Sequence, residues 1–185
     1  MSRHPSSQPI QTRWLTDDEI NVFHAQYAHF SGLRPGSRGG PAGRARGFWR
    51  GPKMLGGYRV GHDAQRYAIL AGPNAVANWP FQPVDAAEIT HLWISDALKS
   101  DERRGVYGWI LTDLMATGKR IFVGGSVDAS IAQQQSRSLP FPLGAVRTDA
   151  LGPRSSVAFY WGTLATLIAD AIKAGVPLPW LGLAR

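Results

Sequence analysis

Glu88-Ile-Thr-His-Leu-Trp-Ile94, then Ser95-Asp-Ala-Leu-Lys-Ser-Asp-Glu-Arg-Arg104, then Gly105-Val-Tyr-Gly-Trp-Ile-Leu-Thr-Asp-Leu-Met-Ala-Thr117, then Arg120-Ile-Phe-Val123 are the segments that decide the fold. The first alternates and carries β-branched and aromatic residues, so it reads as a strand. From Gly105 to Thr117, Val106, Ile110 and Leu114 share one stripe, with Tyr107, Leu111 and Met115 beside it, and Gly118 and Lys119 follow as stop signals. That pattern is a helix. Arg120–Val123 reads as a buried strand. Strand, arginine-glycine turn, helix and strand in this order give an α/β (α+β) chain with a central mixed sheet flanked by helices.

The flanking sequence adds elements outward from this unit. Thr16-Asp17-Asp18-Glu19 is a capping box, and Ile20, Phe23, Tyr27 and Ala28 recur at helical spacing, which predicts a helix over about 17–29. Gly57–Gly61 and Arg66–Ala71 read as a hairpin turning at His62-Asp63. Residues 74–83 suit a connection. Asp128–Ser136 reads as a short helix, Gly144–Arg147 as a weak strand, and Ser155 or Ser156 caps a last buried helix that runs through Val157–Ile172 to Ala174. The 185 residues fit one domain, 1–185, with a polar N-terminal tail over 1–12 and a basic Gly/Arg-rich loop over 33–57.

Composition removes whole classes of function. There is no cysteine, so disulfides, thiolate zinc sites and a cysteine nucleophile are excluded, and a cytoplasmic location is expected. Met1–Thr12 lacks the apolar core of a signal peptide, and Val157–Ile172, broken by Thr163, Thr166 and Asp170, is too short to span a bilayer, so no membrane partner is expected. The net charge of +7 favours an acidic partner. Between Leu33 and Gly57 stand Arg34, Arg38, Arg44, Arg46, Arg50 and Lys53 with no acid among them. Phe48 and Trp49 add stacking faces, so Arg44, Arg46, Phe48, Trp49 and Arg50 form a candidate nucleic-acid surface. The bland alternative is a solvated loop whose aromatics tuck onto the core.

The turn before the 105–117 helix is the candidate cofactor site. A helix N-terminus offers unpaired N–H groups and a positive dipole end, and glycine lets a backbone approach a ligand closely. Arg103, Arg104, Gly105, Val106 and Gly108 therefore suit a pyrophosphate. Arg103-Arg104-Gly105-Val106-Tyr107-Gly108 resembles the coenzyme A turn of the GNAT acyltransferase superfamily, Gln/Arg-x-x-Gly-x-Gly/Ala, with Glu102 and Tyr107 departing from it. Over roughly 88–141, Ser95-Asp96-Ala97-Leu98 and its distance from Arg104 are similar to the Mom-like branch, whose members modify adenine in DNA. The resemblance implies a GNAT-like N-acyltransferase that uses acetyl-CoA or another acyl-CoA as co-substrate on an amine, a nucleobase amine included.

Such a reaction needs no protein nucleophile, but it does need an oxyanion donor and a proton acceptor. Glu88, His91 and Asp128 are the candidate acceptors, near the ends of the central strands. Each also has a structural reading: a strand-end ion pair, a half-buried histidine and a helix cap. The alternative function is a non-catalytic basic nucleic-acid-binding or interaction protein that keeps the fold. Tyr107 separates the two, since a side chain filling the phosphate position would leave no room for coenzyme.

Overall fold

The computed structural model describes residues 8–31, 44–62, 79–126, 129–148 and 155–177. In chain order they form β1 (Gln11–Trp14), α1 (Asp17–Ser31), β2 (Arg44–Arg50), β3 (Lys53–Gly61) and β4 (Ala86–Ile94). Then come α2 (Ser100–Ala116), β5 (Ile121–Ser126), α3 (Ala129–Ser138), β6 (Phe141–Thr148), β7 (Ser155–Thr163) and α4 (Leu164–Lys173). The seven strands make one sheet in the order β1-β2-β3-β4-β5-β7-β6. Neighbours are antiparallel except β4 and β5, which run parallel because α2 crosses between them. This is the mixed α/β sheet the sequence leads one to expect.

Both faces are covered. On one, α1 docks Phe23, Ile20 and Tyr27 against Ala45, Met54 and Trp93. Its start follows the sequence signal, since Glu19 accepts from the Thr16 N–H at 3.1 Å. On the other face, Val106, Ile110 and Leu114 of α2 join Phe48, Leu55, Tyr58 and Phe122 in the main core. Leu111 packs with Leu164, Leu167 and Ile168 of α4.

The basic segment is not a loop where it is described. Residues 33–43 lie outside the described residues, while 44–57 form β2 and much of β3, joined at Gly51-Pro52 with Gly51 at φ +58°. Its glycines mark close packing rather than irregular chain. A Cβ on Gly57 would stand 2.7 Å from the Phe23 ring and 2.7 Å from the Arg46 carbonyl oxygen, so only glycine lets α1 sit down here. The hairpin expected from Gly57 onward is also replaced: Gly57 pairs with Gly47 of β2 on one side and Trp93 of β4 on the other. Residues 66–71 lie outside the described residues.

Three further boundaries move. Val157–Ile172 is not one helix. Its first part is β7, held between β5 and β6 by β-branched and aromatic residues, and α4 starts only after Thr163, whose hydroxyl accepts from the Thr166 N–H. Gln11 and Thr12 of the expected tail pair with Trp49 and Phe48. Finally, α2 begins at Ser100, where Lys99 N–H donates to Glu102 at 2.8 Å and acids occupy the first turn.

A buried ionic group ties the sheet to α2. Asp113 accepts two bonds from Arg46, at 2.6 and 2.8 Å, and one from the Tyr58 hydroxyl at 2.5 Å. The Arg46 guanidinium lies over the rings of Trp14 and Trp109. Neither charge could be buried without the other.

Candidate active site

The parallel pairing of β4 with β5 lasts three residue pairs: Ala86 with Ile121, Ala87 with Phe122 and Glu88 with Val123. Beyond Glu88, β4 stays paired to β3 and β5 stays paired to β7, so the two strands part. A cavity of about 210 Å³ opens there, walled by Ile89 and Leu92 of β4, Phe122 of β5, and residues of α2, α3 and α4. Glu88 stands at the vertex of the fork and is buried.

At the same place β4 carries a bulge. Gly57 pairs with Trp93 and Arg59 with Thr90, so His91 and Leu92 together stand against the single Tyr58. His91 takes φ 55°, which costs about 1–3 kcal/mol for a residue with a Cβ. The extra residue shifts the alternation of the strand. Ile89 and Leu92, three apart, both face the cavity, while His91 turns to the opposite face and packs on Tyr27 and His24 at ring-centroid distances of 4.7 and 5.6 Å. Strain of this kind persists only where the surrounding packing fixes the conformation.

His91 is tuned by its surroundings. Burial, then the charge of Arg59 and then His24, lowers its pKa to about 4, so the imidazole is neutral at neutral pH. Its Nδ1 is buried with no hydrogen-bond partner among the described residues. His24 is lowered too, by burial and then by Arg59, whose guanidinium stands 3.3 Å from His24 Nε2. Since arginine can only donate, Nε2 is the acceptor nitrogen. Sequence reading did not single out His24 or Arg59, and it gave Tyr27 only as a position at helical spacing. The spacing of His24 and Tyr27 on one face of α1 was the available signal.

Five residues separate the end of β4 from the start of α2, which stands at the open end of the fork. The expected cofactor residues sit differently from the sequence reading, because the helix starts upstream of them. The Arg103 N–H already bonds to the Lys99 carbonyl at 2.9 Å, so the unpaired N–H groups of the first turn belong to Ser100, Asp101 and Glu102, not to Val106 or Gly108. Val106 is in the core. Gly108 gives room to the segment after α4: a Cβ there would stand 3.0 Å from the Pro177 carbonyl oxygen. A Cβ on Gly105 would meet nothing within 4 Å. Arg103 donates to the Leu98 carbonyl and to Asp96. Arg104 is exposed and pairs with no carboxylate among the described residues. Tyr107 leaves the helix start clear, since its hydroxyl meets Gln134 of α3 at the cavity wall.

Of the other candidates, Asp128 lies outside the described residues. The proposed nucleic-acid surface is largely consumed internally. Arg46 is bound to Asp113, Phe48 is fully buried, and Arg50 pairs with Glu102 at 2.6 Å. Trp49 lies under Arg13, and only Arg44, over Trp14, remains exposed. These side chains alternate between faces of a strand, which a loop reading could not anticipate. No helix among the described residues is long and apolar enough to cross a membrane.

The fold matches that of solved proteins. FeeM, an N-acyl amino acid synthase from uncultured soil microbes, superposes with a TM-score of 0.66 over 91% of this chain and 98% of its own, at 12% identity. This chain has a GNAT-like fold. The same GNAT fold relates it to the CoA-dependent acyl-homoserine lactone synthase MesI, with a TM-score of 0.56 at 14% identity over 90% of this chain and 96% of that one. It also relates it to yncA of Salmonella typhimurium, solved with its cofactor acetyl-CoA, with a TM-score of 0.54 at 11% identity over 84% and 94%. At these identities the GNAT likeness is one of architecture. No family model and no curated protein matches the sequence.

Proposed function

We propose that this chain is an N-acyltransferase that moves an acyl group from acyl-CoA to an amine. The observation that carries the reading is the fork between β4 and β5, with an apolar cavity inside it, a strained bulge on its edge and a helix start at its open end. Two neighbours of this fold, MesI and yncA, are described with CoA or acetyl-CoA. In this reading the thioester lies along β4 beyond Glu88, where the strand edge has no β5 partner and its amides can polarise the carbonyl. The pyrophosphate takes the first-turn N–H groups of α2 together with Arg104. Arg50 neutralises Glu102, which would otherwise repel it.

The acceptor amine enters from the α1 face and meets His91. Its lone pair attacks the thioester carbonyl carbon, forming the C–N bond as the C–S bond breaks. The proton lost by nitrogen passes to a base, for which the neutral His91 imidazole is one candidate, and then to the departing thiolate, which leaves as the CoA thiol. Glu88 and Asp128 stay as further candidate proton acceptors beside it. The likeness of 88–141 to the Mom-like branch, with the charge of +7, directs the same chemistry to an amine on an anion, a nucleobase among them. The non-catalytic alternative rested on the basic stretch, and the internal use of Arg46, Phe48 and Arg50 withdraws its main support.

The test is titration calorimetry with CoA and acetyl-CoA, followed by thiol release from acyl-CoA in the presence of a panel of amines that includes amino acids and single-stranded DNA. CoA binding and amine-dependent thiol release are expected. No binding at about 1 mM, a bound of about −4 kcal/mol, together with no thiol release, would overturn the reading.

A further inference from the structure

The acceptor side of the site is closed in this structure. His91 lies beneath α1, with the rings of Tyr27 and His24 against it at 4.7 and 5.6 Å, and its Nδ1 is buried. We infer that α1 is a hinged lid: the helix lifts from β3 and β4 about a pivot at residues 15–16, and the amine reaches β4 only when it is lifted. What enters rests on the acyl-transfer reading above, while the lid itself stands on packing. The pivot is fixed by local bonds. The Leu15 N–H donates to the Ala45 carbonyl at 2.8 Å, Arg13 of β1 donates twice to Glu19, and Glu19 accepts from the Thr16 N–H.

Beyond the pivot the helix is held lightly. Of its 15 residues α1 buries Phe23 alone, whereas α2 buries six of 17. The sequence explains the difference, since Asn21, Gln26 and His29 interrupt the apolar stripe of α1. The surface beneath also resists being covered. His91 Nδ1 and Trp93 Nε1, the latter on the ring that Phe30 stacks against at 4.7 Å, are buried with no hydrogen-bond partner among the described residues. Each such atom weakens closure roughly fivefold to a hundredfold relative to an open state in which water meets it. Closure is driven by Phe23, seated so near Gly57 that a Cβ there would stand 2.7 Å from the ring. An element with few buried apolar contacts opens well before the chain unfolds, while one built into the core does not. The lightly held helix therefore covers the acceptor side, and the firmly held α2 covers the fork.

The chain has no cysteine, so a single introduced thiol reports on the lid. Ala45→Cys places one under α1, and Ala87→Cys places one in the main core on the other face of the sheet; both alanines are buried. Met54→Cys and Leu55→Cys, neighbours in β3 that face the same two clusters, replace them where an alanine variant does not fold. Reaction of the full chain with dithiobis-nitrobenzoate, without any substrate, follows the fraction of open molecules. The α1-side thiol should react at least about a hundredfold faster than the core-side thiol, with a shallower urea dependence, because lifting one helix exposes less surface than unfolding the chain. Phe30→Ala, which removes the ring stacked on Trp93, should speed α1-side labelling about fivefold. Equal rates and equal urea dependence for the two thiols overturn the lid. Amine-dependent thiol release from acyl-CoA then tests what enters: Phe30→Ala should lower the KM for the amine and leave CoA affinity unchanged. Faster labelling with an unchanged amine KM overturns α1 as the acceptor's route. If no amine releases thiol, the acyl-transfer reading falls, and the labelling still decides the lid.

Discussion

Replacing Asp113 with alanine removes the acceptor on which Arg46 and Tyr58 both depend. Asp113 takes three hydrogen bonds, at 2.6, 2.8 and 2.5 Å, and both donors lie at 8% exposure or less. Breaking a buried ion pair from one side costs about 3–5 kcal/mol, because the remaining charge stays buried and unpaired. The orphaned Tyr58 hydroxyl adds about 1–3 kcal/mol. The rings of Trp14 and Trp109 over Arg46 offset some of this, since the cation keeps its aromatic faces. A net loss of about 4 kcal/mol is expected, a large share of the roughly 5–15 kcal/mol that holds a domain together. Urea unfolding followed by tryptophan fluorescence measures it. The double variant Arg46→Met with Asp113→Leu should recover at least half, because an apolar pair of similar volume needs no desolvated charge. A loss below about 1 kcal/mol for Asp113→Ala would refute the view that this trio is a dry ionic cluster.

Three more outcomes can be checked directly. Histidine in an unfolded chain titrates near 6.5 and His91 in the fold near 4, so the unfolded state takes the proton first as pH falls; stability should drop by about 2–3 kcal/mol between these values and the drop should shrink in His91→Gln, read from thermal melts across pH. Gly57→Ala should destabilise by about 1–3 kcal/mol, because its Cβ would stand 2.7 Å from Phe23, and Phe23→Leu in the same chain should relieve part of that loss. Arg104→Ala should weaken CoA binding by about tenfold to a hundredfold with folding unchanged, since the side chain is exposed, and Arg104→Lys should recover only part. Unaltered affinity in calorimetry would remove Arg104 from the site.

Periodic segments were legible in the sequence because a single period governed them. The 17–29 stretch, with its capping box, became α1 almost to the residue, and Glu88–Ile94 and Arg120–Val123 became the parallel pair at the centre. Where composition stood in for period, the reading failed. Glycine and arginine between 44 and 57 suggested a loop, yet Gly57 is small to admit Phe23 and Arg46 is charged to meet Asp113, partners 34 and 67 residues away. Asp113 itself carried a signal, since it falls among the buried stripe of Ile110 and Leu114, and an acid there requires a cation from elsewhere. Val157–Trp161 is apolar enough for either element, and its place between β5 and β7's other neighbour, β6, decided for a strand.

The site was half legible for a related reason. The strand, turn and helix around 88–117 marked where a phosphate could sit, but the helix start moved upstream because the first-turn acids and the Glu102 contact with Lys99 favour early nucleation. What no local pattern announces is the bulge. His91 looks like one more alternating residue of a strand, and only its opposition, with Leu92, to the single Tyr58 turns it to the α1 face. That one added residue does two things at once. It keeps Leu92 on the cavity side with Ile89, so the wall of the fork stays apolar, and it sends an imidazole with an unmet nitrogen to the face opposite. The strain at φ 55° is the cost of placing both on one backbone segment.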